Sequence, residues 1–266
     1  MKLLDGSELA GFIKERQAKQ VRGLRQHDKV IPRLAIVVAN DDPVIDIYVR
    51  LKQKYGDDIL VEVDVHKVAI DDVADKLNEL NNDQLVKGII LQLPLSGTSR
   101  TDELVGMIAP EKDVDGLNSE SNFDSATAMA INWLLTGYSI ELANRKIAIV
   151  GRGKLVGAPL ARMWTNSGYD VTTLGRDADL REELKNANII VSATGVPGLI
   201  TSELVPIGAT VVDAGTASEN GTILGDVADD VRERDDVTIT PLRGGVGPLT
   251  ISALMDNVIR ATRESI

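Results

Sequence analysis

No cysteine occurs in the 266-residue chain, and histidine occurs only at His27 and His66. Disulfides, thiolate nucleophiles and thiolate metal sites are thereby excluded, as is a metal centre built from several imidazoles. Long apolar runs are absent too. No stretch approaches the ~18 apolar residues of a membrane span, and the opening MKLLDGSELAGFIKERQ interrupts its short apolar pair with Asp5, Glu8 and Glu15 instead of building a signal-peptide core. The expectation is a cytoplasmic protein that engages no membrane. Positive charge is in deficit: Lys and Arg number 29 against 40 Asp and Glu, a net charge of −11. A grip on nucleic acid needs clustered cations, so that class of partner is excluded. Any anionic ligand must be held by local positive groups. No repeat at a solenoid period and no low-complexity tract is visible.

What is present is ordinary for a soluble globular protein, with 43% hydrophobic and 26% charged residues. The length suggests two domains. Helical and β-rich patterns alternate in the first half: a helix over 6–26, a strand at 33–39, a helix near 43–56, a strand at 59–65, a helix near 70–81 and a strand at 88–93. A short helix, TDELVGMIA, follows, and PEKDVDGLNSES reads as a loop. A second cycle starts at 145–164, running from strand through a glycine-rich turn into helix. Further strands are expected at 169–175, 187–195, 209–215 and 237–240, and a last helix over 247–266. Strands separated by helices imply βαβ units, parallel sheets and an α/β fold, in which ligands gather beyond the carboxyl ends of the strands.

Several short stretches carry possible chemistry. In YVRLK, Tyr48 and Lys52 lie four residues apart, which on a helix puts them on one face. Taken alone the pentapeptide reads as a solvated lysine beside an aromatic ring. Gln92 follows the third strand directly, in QLPLSG, at the mouth of a strand-end crevice. KDVDG, residues 112–116, offers two carboxylates in what is otherwise common turn chemistry; a buried Asp there could accept from the N–H groups of an aminopyrimidine edge. GRGKLVG, residues 151–157, has the strand–turn–helix context of a dinucleotide site, though its G-x-G-x-x-x-G spacing is one residue longer than the usual fingerprint. Where an NAD-selecting acid is expected, the chain reads Leu174-Gly175-Arg176-Asp177. Arg176 and Arg152 there favour NADP, with NAD the alternative and with Asp177 open to a second reading as a helix cap. RGGVGPLT, residues 243–250, is either a hinge or a close backbone approach to a flat ligand.

In order, DP…YVRLK, QLPL, PEKDVDG, VGRGKLVGAPLA, SATG and GGVGPLT resemble, along nearly the whole chain, the bifunctional methylenetetrahydrofolate dehydrogenase/methenyltetrahydrofolate cyclohydrolase family. The resemblance implies two α/β domains with a cleft between them. The first is a three-layer folate-binding catalytic domain over 1–120 with a returning helix at 249–266; the second is a Rossmann dinucleotide-binding domain over 121–248. It implies a homodimer, tetrahydrofolate derivatives as ligands, and NADP-dependent oxidation followed by hydrolysis, both at one folate site. Lys52 is then the catalytic lysine, Tyr48 stacks on the aminobenzoyl ring, Gln92 holds and tunes Lys52, and Asp115 anchors the pterin. Leu93 and Gly247 complete the substrate site. Gly151, Arg152, Gly153, Arg176, Thr194, Thr216 and Thr250 are implied at the cofactor.

Four departures stand against the family pattern. Ile45 occupies the place of a serine, removing a hydroxyl near Lys52. SATAMA, residues 125–130, replaces a proline- and glycine-containing entry to the linker helix. Arg243 replaces a proline, and Gly153 a serine. Two alternatives therefore remain at this point: a catalytically impaired folate- or nucleotide-binding paralogue, and an unrelated two-domain dehydrogenase of the shikimate type.

Overall fold

The computed structural model describes residues 2–215, 217–219 and 222–266. Along the chain come β1 (Lys2–Leu3), α1 (Gly6–Gly23), β2 (Arg33–Val38), α2 (Pro43–Ile59), β3 (Glu62–Lys67), α3 (Val73–Asn82), β4 (Gly88–Leu91) and α4 (Thr101–Gly106). After α5 (Ala126–Gly137) follow β5 (Ile147–Val150), α6 (Gly157–Asn166), β6 (Val171–Leu174), α7 (Leu180–Leu184), β7 (Ile189–Ser192) and β8 (Thr210–Asp213). A hairpin of β9 (Ala217–Glu219) and β10 (Thr222–Leu224), then α8 (Asp229–Arg232), β11 (Thr238–Ile239) and α9 (Val246–Glu264), complete the chain. Packing divides it into two compact units, one of Gly11–Ala126 with Ile251–Ile266, the other of the first ten residues with Thr127–Thr250.

The first of these units is built on a three-stranded parallel sheet in the order β3-β2-β4. Its central strand is covered on both faces: Leu34, Ala35, Ile36, Val37 and Val38 are all at most 2% exposed. That is why RLAIVV reads as an unbroken apolar run with no alternation. One face packs Ala35, Val37, Ile89 and Leu91 against Val73, Leu77 and Leu80 of α3 and Leu104 and Val105 of α4. At the edge, Gly88 leaves no room for a Cβ, which would sit 2.8 Å from both methyls of Val114. Ile89 pairs in parallel with Asp113, so the KDVDG loop runs alongside β4 in the same direction, toward the end of the sheet where Gln92 follows the strand.

The second unit carries a six-stranded parallel sheet in the order β1-β11-β8-β7-β5-β6. From β5 the chain goes first to β6 on one side, then to β7 on the other. Strand order therefore reverses beyond the carboxyl ends of β5 and β7, the place where such sheets hold ligands.

Three boundaries differ from the sequence reading. Residues 2–3 pair with Thr238 and Ile239 in the six-stranded sheet, and the Tyr138 hydroxyl accepts from Asp5 N at 3.0 Å. The first ten residues thus pack with the nucleotide-type unit and not with the folate-type unit drawn from residue 1; a two-residue strand is too short to show a period. The strand expected at 59–65 begins only at Glu62, because α2 runs on to Ile59 and stops at Leu60, whose φ of 67° forms a left-handed cap. Asp179, not Asp177, caps α7, accepting from Arg181 N and Glu182 N.

Candidate active site

In α2, Asp42 caps the N-terminus, its carboxylate accepting from Val44 N at 2.8 Å, with Pro43 at the first helical position. This start fixes the rotation of the helix. Ile45, Val49, Tyr55 and Ile59 are buried, while Tyr48 and Lys52 lie half-buried one turn apart. Lys52 Nζ donates to Gln92 Oε1 at 2.6 Å, and Gln92 Nε2 donates to the carbonyl of Leu93 at 3.0 Å. The amide is thereby fixed with its oxygen toward the lysine. Leu93 contributes through that carbonyl, its side chain packing on the sheet core.

Burial pulls the Lys52 pKa below the ordinary lysine value, and the charge of Asp115 opposes it. Burial likewise pushes the Asp115 carboxyl up, opposed by Lys52. Each group keeps some solvent contact, yet the protein packed around the pair is dense enough for desolvation to outweigh their attraction. The result is a lysine that yields its proton more readily than an exposed one, under the influence of a carboxyl that yields its own less readily. Burial raises the Tyr48 pKa as well, which keeps its ring neutral.

The KDVDG loop holds Asp115 by fixing every residue around it. Lys112 Nζ donates to the carbonyls of Leu80, Asn81 and Asp83 at 3.0, 2.7 and 2.8 Å, closing the C-terminal end of α3. Val114 fills the notch left by Gly88. Gly116 has φ +68°, and a Cβ there would lie 2.5 Å from the carbonyl carbon of Asp124, so only glycine fits. The carbonyl of Asp115 accepts from Ala126 N at 3.2 Å.

Asp113, unassigned by the sequence reading, is 1% exposed and accepts from Asn118 N at 2.8 Å. Its other oxygen, Oδ1, is buried with no hydrogen-bond partner among the described residues. Burial, opposed by the Asn118 N–H and aided by the charge of Asp115, pushes this carboxyl up to about 6. The folded protein therefore retains a proton that the unfolded chain loses near pH 4. Stability from this group is full below that pH and is lost as pH rises through about 6. Asp113→Asn is expected to abolish that dependence and to stabilise the fold at pH 7.5 by roughly 1–3 kcal/mol, read from urea midpoints at pH 4 and 7.5. A variant less stable than the parent at the higher pH would refute the assignment.

In the other unit, the turn after β5 meets the turn after β7. Gly151 has φ +110°, and a Cβ on it would fall 2.4 Å from the carbonyl oxygen of Ala193; one on Gly157 would fall 2.0 Å from the carbonyl oxygen of Gly151. Both glycines are required by the turn itself. At Gly153 nothing lies within 4 Å, leaving the backbone open to close approach. Arg152 Nη2 donates to the carbonyl of Thr173 at 2.9 Å, and its guanidinium carbon is 3.4 Å from where a Gly175 Cβ would be. The Arg152 cation therefore lies over the end of β6, with exposed Arg176 next in the chain. The donors, the open backbone and these cations suit an anionic dinucleotide.

Thr194 lies in the turn after β7, where its N–H donates to Asp226 Oδ2 at 2.6 Å and Ser192 Oγ donates to the same oxygen at 2.8 Å. Asp226 is itself placed by Asp213, whose carboxylate accepts from Asp226 N, Val227 N and Arg232 Nη2. None of these three charged residues was singled out from sequence; the Asp in each of DAG and GDV at strand ends was the available signal. Thr250 Oγ1 donates to Val246 O at 3.2 Å within α9, and Gly247 is exposed with nothing within 4 Å of its Cβ position. Thr216 lies outside the described residues.

Residues 4–115 match the family model of the tetrahydrofolate dehydrogenase/cyclohydrolase catalytic domain, and residues 125–266 match that of the NAD(P)-binding domain of the same enzymes. The chain belongs to the tetrahydrofolate dehydrogenase/cyclohydrolase family. It is 34% identical to the bifunctional protein FolD of Staphylococcus aureus over 277 residues, 98% of this chain and 96% of that one. Among solved structures it is similar to the bifunctional enzyme FolD of Campylobacter jejuni, with 31% identity, a TM-score of 0.93 and full coverage of both chains. The Trypanosoma brucei FolD complexed with NADP cofactor and inhibitor gives 28% identity and a TM-score of 0.91, covering 99% of this chain and 97% of that one. An unrelated dehydrogenase of the shikimate type is thereby set aside.

Within this tetrahydrofolate dehydrogenase/cyclohydrolase frame the departures have definite places. Ile45 is 3% exposed and lies on the same helical stripe as Val49 and Lys52; the lost hydroxyl does not release Lys52, which Gln92 holds. SATAMA starts α5, and its Ser125, Ala126, Ala128 and Ala130 are all at most 2% exposed, small residues filling positions where side-chain volume is excluded. Arg243 is exposed, as a rim residue is.

Proposed function

We propose that this protein oxidises 5,10-methylenetetrahydrofolate to the 5,10-methenyl cation with NADP and then hydrates that cation to 10-formyltetrahydrofolate, as an enzyme of one-carbon metabolism. The observation that carries the reading is the Lys52–Gln92 contact beside Asp115, in a chain of this family. NADP held at the 151–157 turn would supply the hydride acceptor. The protein's own part follows from electrostatics. Loss of hydride leaves positive charge on the one-carbon bridge, which a neighbouring ammonium would oppose and a neutral amine does not. Desolvation favours the neutral amine at Lys52.

In the hydration step, Lys52 Nζ takes a proton from the attacking water as its oxygen bonds to the bridge carbon. The resulting ammonium, favoured by the Asp115 charge, then protonates the ring nitrogen as the carbon–nitrogen bond breaks, while the added hydroxyl loses its remaining proton to solvent and becomes the formyl carbonyl. Gln92 keeps the amine aimed through both events. Asp115 accepts from the pterin edge and Tyr48 covers the aminobenzoyl ring. Purified protein is expected to show NADP-dependent formation of methenyltetrahydrofolate and its subsequent hydrolysis, both read spectrophotometrically. Tight folate binding with neither reaction would leave only a binding paralogue.

NADP is the favoured cofactor because Arg152 lies over the end of β6, where an NAD-selecting carboxylate would stand. Arg152→Ala is expected to raise KM for NADP by about 10- to 100-fold, the size of one charged hydrogen-bonding contact, and to change KM for NAD little. Equal losses with both cofactors would refute the role. The proposal extends to a homodimer in the cytoplasm, supported by the family resemblance; a light-scattering mass of one chain would count against the dimer.

A further inference from the structure

The loop that presents Asp115 is fastened from a helix far away in sequence. Asn257 lies on α9 and is 1% exposed. Its Nδ2 donates to the carbonyl of Val114 at 2.9 Å and to the carbonyl of Asp124 at 3.1 Å. Both N–H groups of one amide are thus used on two loop carbonyls ten residues apart. Val114 immediately precedes Asp115, and Asp124 is the residue whose backbone closes against Gly116. Asn257 therefore grips the strands of backbone entering and leaving the Asp115–Gly116 turn. Other fastenings hold the loop on either side of this turn: Ile89 N donates to the Lys112 carbonyl, Lys112 Nζ to three carbonyls at the end of α3, and Arg260 Nη2 of α9 to the Asn122 carbonyl, while the bonds from Gly116 N and Ala126 N stay within the loop itself.

We propose that Asn257 is a positioning residue for the folate reactions, acting by clamping the 114–124 loop so that the Asp115 carboxylate meets the pterin edge beside Lys52. The inference rests on the reading of Asp115 given above. A leucine at 257 keeps the volume and removes both donors, leaving the buried Val114 carbonyl and the partly buried Asp124 carbonyl without this partner. The loop then relaxes and Asp115 moves relative to the substrate, while the dinucleotide turn at 151–157, in the other packing unit, is untouched.

The test compares Asn257→Leu and the isosteric Asn257→Asp with the parent enzyme in both reactions, and measures tetrahydrofolate binding by calorimetry. Both variants are expected to raise KM for methylenetetrahydrofolate and weaken tetrahydrofolate by about tenfold or more, with KM for NADP within about twofold. Asn257→Gln, which retains both N–H groups, is expected to recover part of the loss. Thr262→Val, a buried change on the same helix whose hydroxyl donates to Val258 O in its own helix, controls for loss of helix stability and is expected to leave both KM values unchanged. Native folate KM and affinity in either soluble donor-less variant would overturn the proposal, as would equal losses for folate and NADP. A parent enzyme without either activity would instead overturn the function proposed above.

Discussion

Lys52→Met is expected to lower the cyclohydrolase rate by about a hundredfold or more, the range over which a positioned acid–base group acts, while the fold and NADP affinity persist. Methionine matches the length and packing of the lysine stem, so what is lost is the nitrogen. Gln92 Oε1, now without its 2.6 Å donor, remains near solvent and is not stranded in the core, so the stability cost is small. The dehydrogenase is expected to fall less, because hydride loss needs the absence of a positive charge more than the presence of an amine. The check is a pair of rates on one preparation. Equal, modest losses in both reactions would mean that Lys52 only helps to bind folate.

Gly157→Ala is expected to do the converse, removing dehydrogenase activity through cofactor binding while sparing hydrolysis. The added methyl would stand 2.0 Å from the Gly151 carbonyl oxygen and 2.8 Å from its carbon. Both are backbone atoms of the turn, and Gly151 is itself pressed against the Ala193 carbonyl, so relief requires the whole turn to open. NADP affinity is expected to fall by about a hundredfold, close to 3 kcal/mol. The thermal midpoint is expected to drop by roughly 3–10 °C, from an overpacking cost of about 1–3 kcal/mol in a chain of this size. Retained NADP affinity would show that the dinucleotide lies elsewhere.

Such a pair of variants separates the two chemistries because the residues behind each lie in different packing units. That separation was legible in the sequence to an uneven degree. Local rules placed Lys52, Tyr48 and Gln92, on a helix opened by Asp42-Pro43 and at the first residue after an apolar strand, but left YVRLK as a solvated pair; their roles came from the family resemblance. The glycines of 151–157 carried the turn, and the steric demand at Gly151 and Gly157 explains why the longer spacing still works. What remained hidden depends on contacts between distant segments. Asn257 meets Val114 across 143 positions, and nothing in NVIRAT announces it. Leu60 ends a helix with an apolar residue in the left-handed region, where glycine or asparagine is the usual signal, so the strand after it was placed too early. Residues 126–137 form a helix in which apolar side chains face every direction; without a polar face there is no period to detect. Asp113 looked like turn chemistry, and only burial distinguishes it from Asp115.

The central claim is that burial lowers the proton affinity of Lys52. Side-chain NMR of isotopically labelled lysines, with Lys52 assigned by its disappearance in Lys52→Met, measures this without reference to turnover. The result expected is a Lys52 titration displaced below the ordinary value of 10.5, the direction set by burial, and displaced further in Asp115→Asn, where the opposing charge is gone. A Lys52 amine that titrates at or above 10.5 alongside the surface lysines would contradict the account.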